Sequence, residues 1–329
     1  MFTAIQHIFS DAIGSSPSLS FNHRLTDYSE ITAISYDGSI MYYVSVSGAA
    51  LMKSTDYGAT WNYTSMLDYA NEIRAISCSD DGQNIVVVKN PGSVFLSIDA
   101  GTSFSDINPE GSDKNWTNVV ISGDGQSIAV NWAFYPYIPN SRFWTTSDKG
   151  VTWHDRGSKG SIPLHKMAIS DDGTVIKFAD TDGDIYESTD SGASFTFIIA
   201  SGVTFVRSDT TGAVLIYGEA LYPSNPPYPS DSFYKRSSFG GGFSILGQFG
   251  HLSHDSFPAH CDISSDASTI LVVPSADTTD WLSEVWFSTD SGVSFSQDTS
   301  LDAMDSYYSI SLSGNGLHAI IAGNSIWTY

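Results

Sequence analysis

The chain alternates short apolar runs with polar turns, and the same run-and-turn unit recurs along its length. Ile31-Thr-Ala-Ile-Ser35 leads into Asp37-Gly38, and Ile73-Arg-Ala-Ile-Ser77 runs on to Asp81-Gly82. Val119-Val-Ile-Ser122 leads into Asp124-Gly125, and Met167-Ala-Ile-Ser170 into Asp172-Gly173. Val206-Arg-Ser208 runs to Gly212, Cys261-Asp-Ile-Ser264 to Asp266-Ala267, and Ile310-Ser-Leu-Ser313 to Asn315-Gly316. A second apolar run follows each turn. Runs this short, bounded by Asp, Gly and Ser, predict strands joined by hairpins. The turn positions 38, 82, 125, 173, 212, 267 and 316 lie 39 to 55 residues apart, which leaves each unit room for four strands.

A second motif closes most units. Ser54-Thr-Asp56-Tyr-Gly58-Ala-Thr60-Trp61 returns as Ser97-Ile-Asp99-Ala-Gly101-Thr-Ser103-Phe104 and as Thr146-Ser-Asp148-Lys-Gly150-Val-Thr152-Trp153. It appears again around Asp190 and Asp290, in Ser188 to Phe195 and Ser288 to Phe295. Each position suits a tight turn. The carboxylate accepts backbone N–H groups, Gly allows positive φ, and the aromatic ring leaves the turn for a packed layer. A worn copy, Arg236-Ser-Ser238-Phe-Gly240-Gly-Gly242-Phe243, keeps Gly and Phe but lacks the aspartate.

This motif resembles the Asp-box, or bacterial neuraminidase repeat, of sialidases, xyloglucan-degrading glycosidases and sortilin-type receptors. The resemblance covers nearly the whole chain and implies an all-β fold. Asp56, Asp99, Asp148, Asp190 and Asp290 would then be structural, away from any active site. Seven units of four antiparallel strands predict a single seven-bladed β-propeller, with inner strands near 31, 73, 117, 165, 203, 260 and 307. The seventh unit ends at Ile326-Trp-Thr-Tyr329 without a fourth strand. Residues 18–25, with Phe21 where the box aromatic belongs, are expected to supply it and close the ring. Residues 18–329 then form the propeller, and residues 1–17 form an N-terminal extension that docks or caps. Phe2, Ile5, Ile8, Phe9, Ala12 and Ile13 recur there at roughly helical spacing.

Antiparallel alternation puts the Asp/Gly turns and the boxes on one face. The insertions fall on the other, at 132–144, 219–235, 247–260 and 275–286. Long loops on a rigid scaffold are where binding resides. Aromatic residues concentrate in them, so Trp132, Tyr135, Tyr137, Trp144, Tyr222, Tyr228 and Trp281 are the candidate binding residues for a glycan or a protein.

Composition narrows the function. The formal charge is −22, from 14 Lys and Arg against 36 Asp and Glu. That balance excludes nucleic acid and anionic membrane as partners. No apolar run approaches a membrane span. Cys78 and Cys261 fall on distant units and are expected to be free and buried. The N-terminus lacks a basic n-region and does not read as a signal peptide.

Enzymatic readings are weaker. A sialidase needs three converging arginines, yet the chain has six in all (Arg24, Arg74, Arg142, Arg156, Arg207 and Arg236) and lacks the Arg-Ile-Pro opening. A glycosidase needs two carboxylates across a cleft, and most aspartates here sit in turns. Asp180-Thr-Asp182-Gly183-Asp184 has the alternation of a calcium loop, but Asp-Gly is also the ordinary hairpin signal, and the hairpin is the better reading. His251, His254, Asp255 and His260 are too loosely spaced to define a metal centre. The expectation is therefore a recognition or assembly module rather than an enzyme, with no cofactor required and Ca2+ as the only candidate ion. Residues 1–14 are a second docking element. An extracellular site or the surface of a larger particle, such as a virion, is the expected location. A glycoside hydrolase using loop-face carboxylates is the alternative.

Overall fold

The computed structural model describes residues 20–47, 50–67, 72–133, 141–159, 167–180, 182–200, 203–219, 231–249, 260–273, 285–298, 300–301 and 307–329. They form seven four-stranded antiparallel sheets arranged as the blades of a propeller. In six blades the four strands follow one another in the chain from the hub outward. The first blade, for example, runs Thr32–Ile34, Met41–Ser45, Ala50–Ser54 and Asn62–Leu67. The other hub strands are Ile73–Cys78, Trp116–Ile121, Met167–Ile169, Val203–Ser208, His260–Ile263 and Tyr307–Leu312. The second strand of each blade is buried on both faces, as in Ile85–Lys89 and Ala319–Gly323. This is why these segments read as continuous apolar runs rather than alternating ones.

The seventh blade closes the ring. Asn22–Leu25 pairs antiparallel with Ile326–Thr328, with His23 opposite Trp327. Phe21 is buried beside it, its ring 5.9 Å from that of Tyr329. The Arg24 Nε donates to Thr328 Oγ1 at 2.5 Å.

A second closure runs through the hub turns. The Tyr36 N–H donates to Asp80 O at 2.8 Å, and the Asp80 N–H to Gly123 O at 2.9 Å. The chain of bonds continues from Asp124 to Asp171, from Asp171 to Thr210, from Thr210 to Ser265, and from Ser265 to Gly314, at 2.8–3.1 Å. The Asn315 N–H then returns to Tyr36 O at 3.0 Å. Seven backbone hydrogen bonds therefore link all seven turns into a closed circle. These polar groups would otherwise lack partners at a crowded hub, so the circle satisfies them as well as fixing the blade count.

Both turn types also seat each blade on the one before it. A Cβ on Gly58 would lie 2.5 Å from Thr328 Cγ2, and one on Gly38 2.4 Å from His318 Cβ. At each place the backbone adopts φ +78 and leaves no room for a side chain. Blades are further joined by cations. Lys53 Nζ reaches Ala100 O at 2.8 Å, and Lys235 Nζ reaches Ser291 O at 3.0 Å, each a box carbonyl of the following blade.

Both cysteines are free. Cys261 is buried as expected, whereas Cys78, at the turn-face end of its hub strand, is only half-buried and lines the central channel.

Candidate functional site

The inner strands enclose a channel with a cavity of about 250 Å3, lined by residues of all seven hub strands, among them Thr32, Ser77, Asn118, Ser208 and Ser311. Asp262 is the one carboxylate lining it among the described residues. It accepts Arg207 Nε at 3.0 Å and the Leu312 N–H at 2.8 Å. Burial pushes the Asp262 carboxyl up from the ordinary range, and Arg207 with the backbone donors draws it part of the way back. The neighbouring His260 is held down to about 4, chiefly by burial and then by Arg207. Hydroxyls line the adjoining wall, between the seventh and first blades, where Thr32 Oγ1 lies 2.9 Å from Ser309 Oγ and 2.8 Å from Ser311 Oγ.

At the loop-face end of the channel, several hub strands carry a bulge at the same place. Register shifts fall at Arg74, Thr117 and Tyr308. An extra residue in one strand turns its side chain away from the ladder. Arg74 and Tyr308 are exposed at the rim as a result. The Tyr308 ring meets Tyr28 edge-on at 5.5 Å, and the Tyr28 hydroxyl donates to Glu30 Oε1.

Of the predicted binding residues, Trp132 and Trp144 are described, and both are half-buried. Each donates its indole N–H to the same atom, Glu110 Oε1, at 3.0 Å. Lys114 Nζ lies 4.0 Å from Glu110 and 5.3 Å from the centre of the Trp132 ring. Both indoles rest against the apolar core between the second and third blades. Glu110 thus joins the end of one blade to the insertion of the next. Sequence reasoning missed it because it lies in a blade-to-blade connection that carries no motif. Tyr135, Tyr137, Tyr222, Tyr228 and Trp281 lie outside the described residues, as do His251, His254 and Asp255.

The five box aspartates stand on the opposite face; four share one geometry, and Asp148 keeps its two Oδ1 bonds, from the Thr146 hydroxyl and the Thr152 N–H. At Asp56, the Ser54 hydroxyl and the Thr60 N–H donate to Oδ1 at 2.7 and 2.8 Å, and the Thr60 hydroxyl donates to Oδ2 at 2.6 Å. Asp99, Asp190 and Asp290 repeat this pattern. Donors that favour the charged form, the terminal hydroxyl foremost, hold these four carboxyls down to about 2. Asp148 is also lowered, chiefly by the Thr152 N–H.

Where the aspartate is lost, a charged group takes over. Arg236, in the place of the leading Ser or Thr, reaches into the preceding blade and pairs with Glu187, which also lies 3.4 Å from Lys177 Nζ. All three are buried, and the Phe239 ring covers both cations at 5.6 and 5.9 Å. Lys177 is held down to about 8, mainly by burial, with Glu187 opposing and Arg236 adding to the shift.

Asp180 acts as a hairpin acceptor. Its Oδ1 takes the N–H groups of Asp182 and Asp184, each at 3.0 Å. Among the described residues no cluster of His, Cys, Asp and Glu is placed to hold a metal. Five of the six arginines have separate partners: Arg142 faces Asp155 at 3.7 Å, Arg156 reaches Thr145 Oγ1 at 2.8 Å, and Arg24, Arg207 and Arg236 are bound as above.

Fold and channel together define a seven-bladed β-propeller with four antiparallel strands per blade. No family model matches the chain. A xyloglucanase from Hypocrea jecorina (strain QM6a) is 24% identical over 153 residues, which are 45% of this chain and 17% of that protein. Among solved structures, the GH74 xyloglucanase from Xanthomonas campestris aligns with a TM-score of 0.69 at 12% identity, over 95% of this chain and 53% of that one. YCF48 from Cyanidioschyzon merolae aligns at 0.63 and 13% identity, covering 94% of this chain and 98% of that one. A structure of YCF48 bound to D1 peptide aligns at 0.65 and 14%, covering 96% of each. The chain spans about half the length of the xyloglucanase structure and a sixth of the curated relative. Likeness at these identities shows the fold alone.

Proposed function

We propose that this propeller is a non-catalytic recognition or assembly module of the Asp-box kind, binding a protein segment or a glycan on its loop-rich face. The observation that carries the reading is the state of the carboxylates. The channel holds one, Asp262, and it is bonded to Arg207 and a backbone N–H. Glu110, on the loop face, is occupied by two indoles. Each is engaged by its own partners, whereas acid–base hydrolysis of a glycoside requires two carboxylates facing each other across a cleft. The rim formed by Arg74, Tyr308 and Tyr28, where the Tyr28 hydroxyl engages Glu30, offers a cation and aromatic rings, which suit binding. The peptide-bound propeller of matching length supports a protein ligand. A surface subunit of a larger particle remains within this reading.

The test is a peptide and glycan array probed with the full chain, with hydrolysis of xyloglucan oligosaccharides followed in parallel. Saturable binding weakened at least tenfold by Arg74→Ala or Tyr308→Ala, without turnover, is the expected result. A second reading, a glycoside hydrolase, is favoured by the stretch similar to a xyloglucanase. Turnover abolished by a single Asp or Glu substitution would establish that reading and overturn the first.

A further inference from the structure

On the face that carries the turns, three large exposed apolar side chains gather where the seventh blade meets the first. Tyr36 is 44% exposed, Tyr57 45% and Leu317 61%. Tyr36 and Tyr57 lie against the turn of the seventh blade, which carries Leu317. The Tyr57 ring lies 4.6 Å from that of His318, the neighbour of Leu317. The Tyr36 ring lies over Gly314, whose Cβ would sit 2.3 Å from Tyr36 Cδ2. On the same face Ile98, Val151 and Val293 are exposed singly, each in a different blade, and need no partner. A patch of several large side chains does call for one.

The point where the described chain begins lies beside this patch. Phe21 is in ring contact with Tyr329, the Tyr329 carbonyl lies 3.3 Å from His318 Nδ1, and His318 meets Tyr57. Asn22 sits opposite Thr328, at the turn-face end of its strand, so the preceding residues approach from the turn side. Residues 1–17 carry Phe2, Ile5, Ile8, Phe9, Ala12 and Ile13, with Asp11 as their only acid and no Lys or Arg. Seventeen residues reach about 25 Å as a helix and about 55 Å extended, enough in either form to cross one seam.

We propose that residues 1–17 fold back onto the turn face and cover Tyr36, Tyr57 and Leu317 across the seam between the seventh and first blades. An apolar stretch with little charge fits this surface better than its surroundings, where Asp37 and Asp56 flank the patch. Covering it fastens the same joint that Asn22–Leu25 closes within the blade. The inference is independent of what binds the loop face.

The experiment is acetylation of tyrosines in the full chain by N-acetylimidazole, read by peptide mass. Tyr63, 64% exposed on an outer strand, serves as the reference. Tyr36 and Tyr57 should react at least about fivefold more slowly than Tyr63. In the full chain carrying Ile5→Asp, Ile8→Asp and Phe9→Asp, both should rise to the rate of Tyr63. Leu317→Asp, which alters the other side of the contact, should release Tyr36 likewise. Equal rates in the parent and the segment variant overturn the proposal. So does protection that fades on dilution in step with a sedimenting dimer, because a second copy is then the cover.

Discussion

Replacing Asp171 by Asn should stabilise the protein, and only above mildly acidic pH. Asp171 belongs to the circle of hub turns, where its backbone bonds to Thr210 and Asp124. A Cβ on Gly123 would meet Asp80 Oδ2 at 2.7 Å and Asp171 Oδ1 at 2.8 Å, so the two carboxylates crowd one glycine from neighbouring turns. The Asp171 carboxyl is pushed up to about 7, by burial first and then by Asp80, Asp172, Asp124 and Asp209. A carboxyl with a raised native pKa favours the folded state most below its unfolded value, near 3.8 for Asp171. That advantage disappears as pH rises through about 7. The full shift corresponds to about 4 kcal/mol. Solvent screening at a partly exposed turn leaves roughly 1–2 kcal/mol. Urea unfolding of both proteins between pH 4 and 8 reads this directly. The variant should match the parent near pH 4 and exceed it by about 1–2 kcal/mol at pH 8, with a smaller gap in 1 M salt. A gap that is constant with pH, or a less stable variant at pH 8, refutes the crowding of carboxylates at the hub.

Three further outcomes follow from the packing. Gly58→Ala should cost about 2–4 kcal/mol in denaturant unfolding, since it strains a positive φ and drives a methyl into Thr328 at the closing seam. Glu110→Ala should cost about 2–4 kcal/mol and alter the tryptophan fluorescence by stranding two indole N–H groups, whereas Glu110→Gln, which keeps an acceptor, should cost less. Lys177 has a lowered native pKa, so its contribution to stability is fully present above the unfolded value of 10.5 and is lost as pH falls through about 8. Stability should therefore rise by roughly 2–3 kcal/mol from pH 8 to 10.5, and Lys177→Met should flatten that rise, as thermal unfolding would show.

Much of the fold was legible because its repeat is a local chemical device. A Ser-x-Asp-Gly turn forms from residues within five positions of one another: the Ser35 hydroxyl donates to Asp37, and the Ile40 N–H donates back to Ser35 Oγ. Such bonds leave a signature in consecutive residues, so the blade count, the inner strands and the N-terminal closure could all be read. The circle of hub turns could not. Its bonds are backbone to backbone between residues such as Tyr36 and Asp80, and a backbone bond places little demand on side-chain identity. The charged seam under Phe239 was half legible. The missing aspartate beside Arg236 was plain, but its compensation by Lys177 and Glu187 depends on the preceding blade, tens of residues away.

The same logic explains why the candidate site was harder to read than the scaffold. Turns that repeat are constrained by one shared geometry, and four aspartates converge on one hydrogen-bond pattern for that reason. The loop face repeats nothing, because each insertion answers to its own neighbours. Trp132 and Trp144 stood out as aromatic residues, yet their common acceptor Glu110 comes from a connection of ordinary polar composition. Tyr308 and Arg74 owe their exposure to a bulge, a shift of one residue in pairing that no composition announces. In a propeller, then, repetition reveals the support, and the surface that distinguishes one protein from another is the part that breaks the repeat. On that reasoning, substitutions at Arg74, Tyr308 and Tyr28 should change binding while leaving the unfolding free energy within about 0.5 kcal/mol of the parent, the opposite of the outcome at Gly58.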